Sequence, residues 1–161
     1  MATTITPSTL TVKITENITL NGKNQGSKNT LEIASINEIY KRIVTCPAGQ
    51  DTTVATFQTA THTADNAIDL EDVRYIRLTN LDASNSINLS LQIAGGEDGT
   101  PNMSTTLLIE AGKSFMMGSP HDGIATSDAN ATIVTSLTDL ESLLVDPSSN
   151  AVDVEVFVAS V

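Results

Sequence analysis

The sequence predicts an all-β protein: an antiparallel β-sandwich, jelly-roll-like, with one short helix. Three observations carry that expectation. Apolar residues recur on alternate positions in several short runs, the period of a strand with one buried and one wetted face. Turn-prone clusters of Gly, Pro, Asn and Asp separate the runs, without the rhythm of strand and long helix that builds parallel βαβ units. The chain's 161 residues are enough for one domain with a substantial core. About eight to ten short strands suit a jelly roll better than an immunoglobulin-like sandwich. The Cys–Trp–Cys signature of the latter is missing, since the chain has one cysteine and no tryptophan.

Residues 1–9 are polar and Thr-rich and read as a flexible N-terminal arm, ahead of a single sandwich domain over residues 10–161. Leu10, Val12, Ile14, Ile18 and Leu20 share one parity, against Thr11, Lys13, Thr15 and Thr19. That is one long strand, or two with a kink at Glu16-Asn17. Asn21–Gly26 reads as a loop. Leu31 and Ile33 begin a strand, Glu38–Cys46 is another, ended by Pro47–Gln50, and Thr52–Gln58 is short and β-prone. Residues 59–72 read as a loop with one helical turn near Ala67–Leu70.

Val73–Asn80 and Ser86–Ala94 flank a short turn-prone link and are expected to pair as a hairpin. Ala111-Gly112 is expected to fold Thr106–Glu110 back onto Lys113–Met117. The stretch Val73–Met117 then reads as a meander, broken by a loop at Gly95–Asn102. A second loop covers Gly118–Gly123, and Ala131–Thr135 reads as a short strand. Thr138 and Glu141 have the spacing of a capping box. Leu137, Leu140 and Leu144 fall on one helical face that Pro147 stops, which predicts the one helix. Val152, Val154, Val156 and Val158 close the chain as a strand, alternating with Asp153, Glu155 and Phe157.

Charge and composition remove several function classes. The net charge is −11, and only Lys41-Arg42 adjoin among the basic residues. Phosphate-backbone binding needs clustered Lys and Arg, so no nucleic-acid partner is expected. Acidity instead keeps copies soluble. No apolar run is long enough to span a membrane. The start MATTITPSTL lacks the basic and apolar regions of a signal peptide, so the chain is expected to fold where it is made unless a phage or pilus-type assembly carries it outward. Cys46 stands alone, which excludes an intramolecular disulfide and a Cys-based zinc site; it reads as a small buried hydrophobe. Aromatic residues make up 3% of the chain, too few for a platform that stacks sugars or bases.

The chemistry-bearing residue types do not assemble into a site. Gly112-Lys113-Ser114 resembles the end of a phosphate-binding loop, but Leu107 stands where the first glycine is needed, and the segment lies between strands. Ser119, His121 and Asp122 are near neighbours in one loop with no nucleophile elbow. His62 and His121 form no zinc pattern, and Asp65, Glu71-Asp72 and Glu97-Asp98 lack the spacing of a calcium loop. Four Asn-x-Ser/Thr triplets, at Asn17, Asn88, Asn102 and Asn130, are close to what this Ser/Thr content yields by chance. No catalytic, cofactor-binding or metal-binding residue is assigned, and the chain is read as not an enzyme. Phe115 and Met117 should share one side of a strand and Met116 the other, either with one side core and one a contact surface or with both faces buried under a loop.

EIYKRIVTCPAG, TVATF, DVRYIRLTNLDASNSINLSL and LLIEAGKSFMMGS together resemble a type of small virion protein from tailed phages. Such chains run through a similar "KRIV-T-P" strand, a "YIR-TNLD" strand and a "L-AGKSF" hairpin. The resemblance covers roughly residues 37–118 and extends loosely to the C-terminal valine strand. It implies a structural β-sandwich of the particle: a capsid decoration or cement protein that binds the major capsid protein on the outside of a phage head. It further implies a homotrimer made in the host cytoplasm and carried on the virion surface. It brings no catalytic or binding residues. A tail- or fibre-associated receptor-binding module is the alternative, and a small hydrolase a more distant one.

Overall fold

The computed structural model describes residues 4–59, 67–93, 103–118, 125–126, 133 and 137–161. Among them the chain forms fourteen strands. These are β1 (Ser8–Thr15), β2 (Thr19–Leu20), β3 (Lys23–Asn24), β4 (Lys28–Ile36), β5 (Glu38–Cys46), β6 (Thr52–Gln58) and β7 (Ile68–Asp69), followed by β8 (Val73–Asn80), β9 (Ile87–Ile93), β10 (Met103–Ile109), β11 (Ser114–Gly118), β12 (Ala125–Thr126), β13 (Thr138–Pro147) and β14 (Val152–Ser160).

Four antiparallel pairs set the architecture: β9 with β10, β8 with β11, β6 with β13, and β5 with β14. Each encloses the one before it, so together they are a single long hairpin whose tip is the β9–β10 connection. Two more pairs, β13 with β9 and β14 with β8, roll that hairpin into two sheets. One runs β5-β14-β8-β11 and is called here the ribbon sheet. The other runs β6-β13-β9-β10, with β7 parallel beside β6 and β12 on the end of β13, and is called the groove sheet. Successive strands crossing between two packed antiparallel sheets in this order make a jelly roll.

The alternation seen in the sequence is the inward face of these sheets. Leu89, Leu143 and Val145 from the groove sheet meet Leu78, Val154, Val156 and Val158 from the ribbon sheet in one core, all with 0% exposure. Burying each such side chain is worth about 1.5–3 kcal/mol.

The structure corrects the expected meander. β8 and β9 do not pair: Leu81–Ser86 is an arch that carries the chain from one sheet to the other. Ala111-Gly112 likewise takes β10 across to β11, with Gly112 at φ 68°. A hairpin and an arch need the same alternation, because in both each strand shows one face to the core. A polar hub fixes the two crossings. Asn80 is fully buried, and its Nδ2 donates to the Asn85, Ile109 and Glu110 carbonyls at 2.8, 3.3 and 3.3 Å. Its Oδ1 accepts from the Asp82 amide at 3.0 Å. The Ser84 and Asn85 amides reach Asp82 Oδ1 at 2.7 Å each and hold that carboxyl below the usual range.

The expected helix is also overturned, because Thr138–Pro147 is β13. A register shift between Leu140 and Ser142 changes the parity of the strand, which places Leu140, Leu143 and Val145 all inward. Of the three leucines expected on one helical face only Leu140 is buried, while Leu137 is exposed and Leu144 lines the outer groove. Near Ala67–Leu70 the expected helical turn is instead β7, followed by a turn closed by the Asp72 amide on the Asp69 carbonyl at 3.3 Å. The loop at Gly95–Asn102 and, save Gly118 and Ile133, the loop at Gly118–Gly123 and the strand at Ala131–Thr135 lie outside the described residues.

Candidate interaction surfaces

Residues 8–36 form one long hairpin outside the sandwich. β1 pairs β4, with Leu10 opposite Ile33, Val12 opposite Leu31 and Ile14 opposite Asn29. The Glu16 amide on the Ser27 carbonyl and the Gln25 amide on the Ile18 carbonyl, both 2.9 Å, carry the ladder on into β2 and β3. Asn21 and Gly22 turn the chain at φ 51° and 75°, the two positive values of a tight hairpin turn whose twist suits the strands. This replaces the loop expected at Asn21–Gly26. A Cβ at Gly26 would lie 2.0 Å from the Glu16 carbonyl oxygen, so the ladder's close approach needs glycine there.

One half of this ribbon lies across the outer face of the ribbon sheet. Ile33 and Ile36 pack with Tyr75 and Ala159, flanked by Leu10, Val12, Leu31 and Phe157. Tyr75 and Phe157 meet edge to face, with centroids 6.0 Å apart. The ribbon runs toward the edge strand β11, where Ile14, Asn29 and Leu31 line a groove with Met116 and Gly118. Its other half has no packing partner among the described residues: every residue from Thr15 to Gln25 is exposed, including Ile18 and Leu20. Within the stretch expected as an arm, Thr4–Pro7 are exposed non-strand chain and β1 begins at Ser8.

The rest of that outer face is charged. Glu155 accepts from Arg77 and pairs with Lys41 at 3.3 Å, and Arg77 stacks 5.9 Å from the Phe157 ring centre. The Arg77 hydrogen bond, with Lys41 behind it, holds the Glu155 carboxyl below its ordinary range. Cys46 is fully buried, and burial pushes its thiol up, which suits packing rather than nucleophilic chemistry.

On the far side, the outer face of the groove sheet is polar and concave. Asn88, Ser90 and Gln92 of β9 run beside Leu144 and Asp146 of β13 and Thr106 of β10, around a groove of about 300 Å³ that Asp51 closes. Gln92 donates to Ser90 Oγ at 2.7 Å. Asp146 Oδ1 is buried and has no hydrogen-bond partner among the described residues. No strand of this sheet contains Lys or Arg, while Asp69, Asp139, Glu141 and Asp146 lie on it. Every basic residue sits elsewhere: Lys13, Lys23 and Lys28 on the ribbon hairpin, Lys41, Arg42, Arg74 and Arg77 on the ribbon sheet, and Lys113 in the turn leading into β11.

The residues weighed in the sequence are not brought together. His62, His121, Ser119, Asp122, Asp65, Glu97 and Asp98 lie outside the described residues, as do Asn102 and Asn130. Gly112-Lys113-Ser114 is a crossing turn, with the Lys113 amide on the Glu110 carbonyl at 3.1 Å. Glu71 and Asp72 belong to the turn after β7, Asn17 to the ribbon's exposed half and Asn88 to the groove. Among the described residues, no group of three or more His, Cys, Asp or Glu could hold a metal. Phe115 and Met117 pack on the core while Met116 points outward, as their parity predicts. Sequence reasoning missed the ribbon and the separation of charge. Asn21-Gly22 between alternating apolar runs was the available signal for the first, and the positions of the lysines for the second.

No protein-family model matches the chain, and no curated protein matches it. Among solved structures it is similar to a chain described under "Bacillus endospore appendages form a novel family of disulfide-linked pili". That likeness covers 76% of this chain and 88% of the other at 10% identity, with a TM-score of 0.37, below the level of a shared fold.

Proposed function

We propose that this chain is a structural protein of a virus particle, a decoration or cement protein that binds the major capsid protein on the outside of a phage head. The observation that carries the structural role is the ribbon. Half of it is anchored on the sandwich by Tyr75 and Phe157, and half extends with exposed aliphatic and basic residues that no described residue covers. Such an arm is suited to lacing onto a neighbour, and cyclic oligomers close without open ends, so the reading includes a homotrimer at three-fold positions of the shell. The phage setting comes from the resemblance of residues 37–118 to small virion proteins. The reading includes no catalysis: His62→Ala with His121→Ala should leave function unchanged.

The test is binding to undecorated heads by the full chain and by an Ile18→Asp, Leu20→Asp variant. The expected result is saturable binding by the first, raised resistance of the heads to heat, and loss of both with the variant. Binding without added resistance would keep decoration and discard cementing. No binding by the full chain would discard decoration and favour the tail- or fibre-associated module, for which the polar groove would be the receptor surface.

A further inference from the structure

We infer that the ribbon tip of one copy docks in the groove of the next, so that the contact between copies joins two different surfaces of the same chain. A cyclic trimer requires this kind of contact, because each copy must present one surface and receive another. The charge map names the two. From residue 13 to residue 28 the ribbon carries Lys13, Lys23 and Lys28 against Glu16 alone, and Glu16 is already engaged by the Ser27 hydroxyl. Lys13 and Lys28 lie on the ribbon's solvent face, because their ladder partners Thr30 and Thr15 share the parity opposite to Ile14 and Asn29. The groove sheet has no basic residue in any strand, and Asp51 and Asp146 line its groove.

The second observation is independent of the charge count. Asp146 is half-buried, lines the groove and receives no hydrogen bond at Oδ1 from any described residue, so its carboxylate is uncompensated until a donor enters the groove. A lysine ammonium offers three donors on a long flexible stem and reaches into a groove that a backbone could not enter. The Ser, Asn and Gln side chains around it supply the remaining polar contacts. Leu20 and its ladder partner Lys23 share the face opposite to Lys13 and Lys28, so Lys23 enters the groove while Leu20, exposed by 57%, covers Leu144, and Lys13 and Lys28 add their charge to the encounter. Charges of opposite sign on the two surfaces steer copies together in the docking orientation and disfavour groove-to-groove encounters.

The inference rests on the self-association proposed above, and the test separates the two. Sedimentation of the full chain over a range of concentration is compared for three samples. In the arm variant, Lys13, Lys23 and Lys28 become Glu; in the face variant, Asp51 becomes Lys and Asp146 becomes Asn; the third sample is the wild type. Circular dichroism checks each fold, and the neutral sets K13Q/K23Q/K28Q and D51N/D146N replace a variant that fails it. Each variant alone is expected to associate at least about a hundredfold more weakly than the wild type. An equal mixture should form a one-to-one dimer that grows no further, because only one intact arm and one intact face remain to meet. Raising salt to about 1 M, which shortens the screening length to about 3 Å, should dissociate the wild type. A wild type that stays monomeric overturns the self-association and this contact together. A wild-type oligomer that persists in the arm variant, or a mixture that stays monomeric, overturns the contact alone and leaves the oligomer standing.

Discussion

The rolled sandwich and the ribbon laid on it are both antiparallel β-structure, yet they are held by different means. In the sandwich, β13, β14, β8 and β9 each have ladder partners on both sides and a core face with almost no exposure. The ribbon has two strands and one partly covered face, and isolated two-stranded hairpins are marginal in water. It persists where Leu10, Val12, Leu31 and Ile33 cover Tyr75, Phe157 and Ala159. Beyond β11 it depends on its own ladder and on the Asn21-Gly22 turn. Core burial therefore sets the stability of the first region, and the second is free to serve contact. A substitution should reveal which region it falls in.

The largest expected effect is inside the sandwich. Leu89→Asp places a charge in the core at a fully buried position and should unfold the domain, a loss above about 4 kcal/mol. Ser90→Asp, one residue on and facing the groove, should cost under about 1 kcal/mol in denaturant titration. Equal damage from both would mean that the strand has no wet face and would erase the distinction between core and groove. Next comes the joint between the regions. Phe157→Ala should cost about 2 kcal/mol, and the ribbon amides should lose protection while the β13 and β9 amides keep theirs. Uniform loss would make the ribbon part of the sandwich's cooperative unit.

The smallest effect is electrostatic. Glu155 titrates below its unfolded value near 4.5 because Arg77 and Lys41 favour its ionised form. A depressed carboxyl adds stability above the unfolded value and loses it as pH falls through the folded one. Glu155→Gln should therefore lower stability at neutral pH and flatten its decline on the acid side. An unchanged acid limb would mean that the Arg77–Glu155–Lys41 set contributes nothing beyond surface ion pairs.

How much of this was legible can be seen strand by strand. Glu38–Cys46, Thr52–Gln58 and Val73–Asn80 begin and end where alternation stops and turn residues start, and the structure has strands at those same bounds. What alternation cannot show is the partner. It separates two faces of a strand, while pairings such as Val152 with Cys46 join residues far apart in the chain. Thr138–Pro147 misled because Leu137, Leu140 and Leu144 have helical spacing in sequence, while in the fold Leu140 faces the core, Leu144 the groove and Leu137 solvent. The groove was legible only as the polar half of ordinary alternation at Asn88, Ser90 and Gln92. Its meaning comes from what stands opposite the ribbon's lysines, and the net charge of −11 conceals that division.

Native-state hydrogen exchange tests the division between the two regions most directly. It should be run at dilution in high salt, where copies are separate. Amides of β14 from Val154 to Val158 should exchange only through global unfolding, with the full denaturant dependence of the fold. Those of Thr19, Leu20, Lys23 and Asn24 should exchange through local fraying, many orders faster and with almost no denaturant dependence. Tip amides that share the protection and the denaturant slope of β14 would contradict a contact arm carried on an independent sandwich.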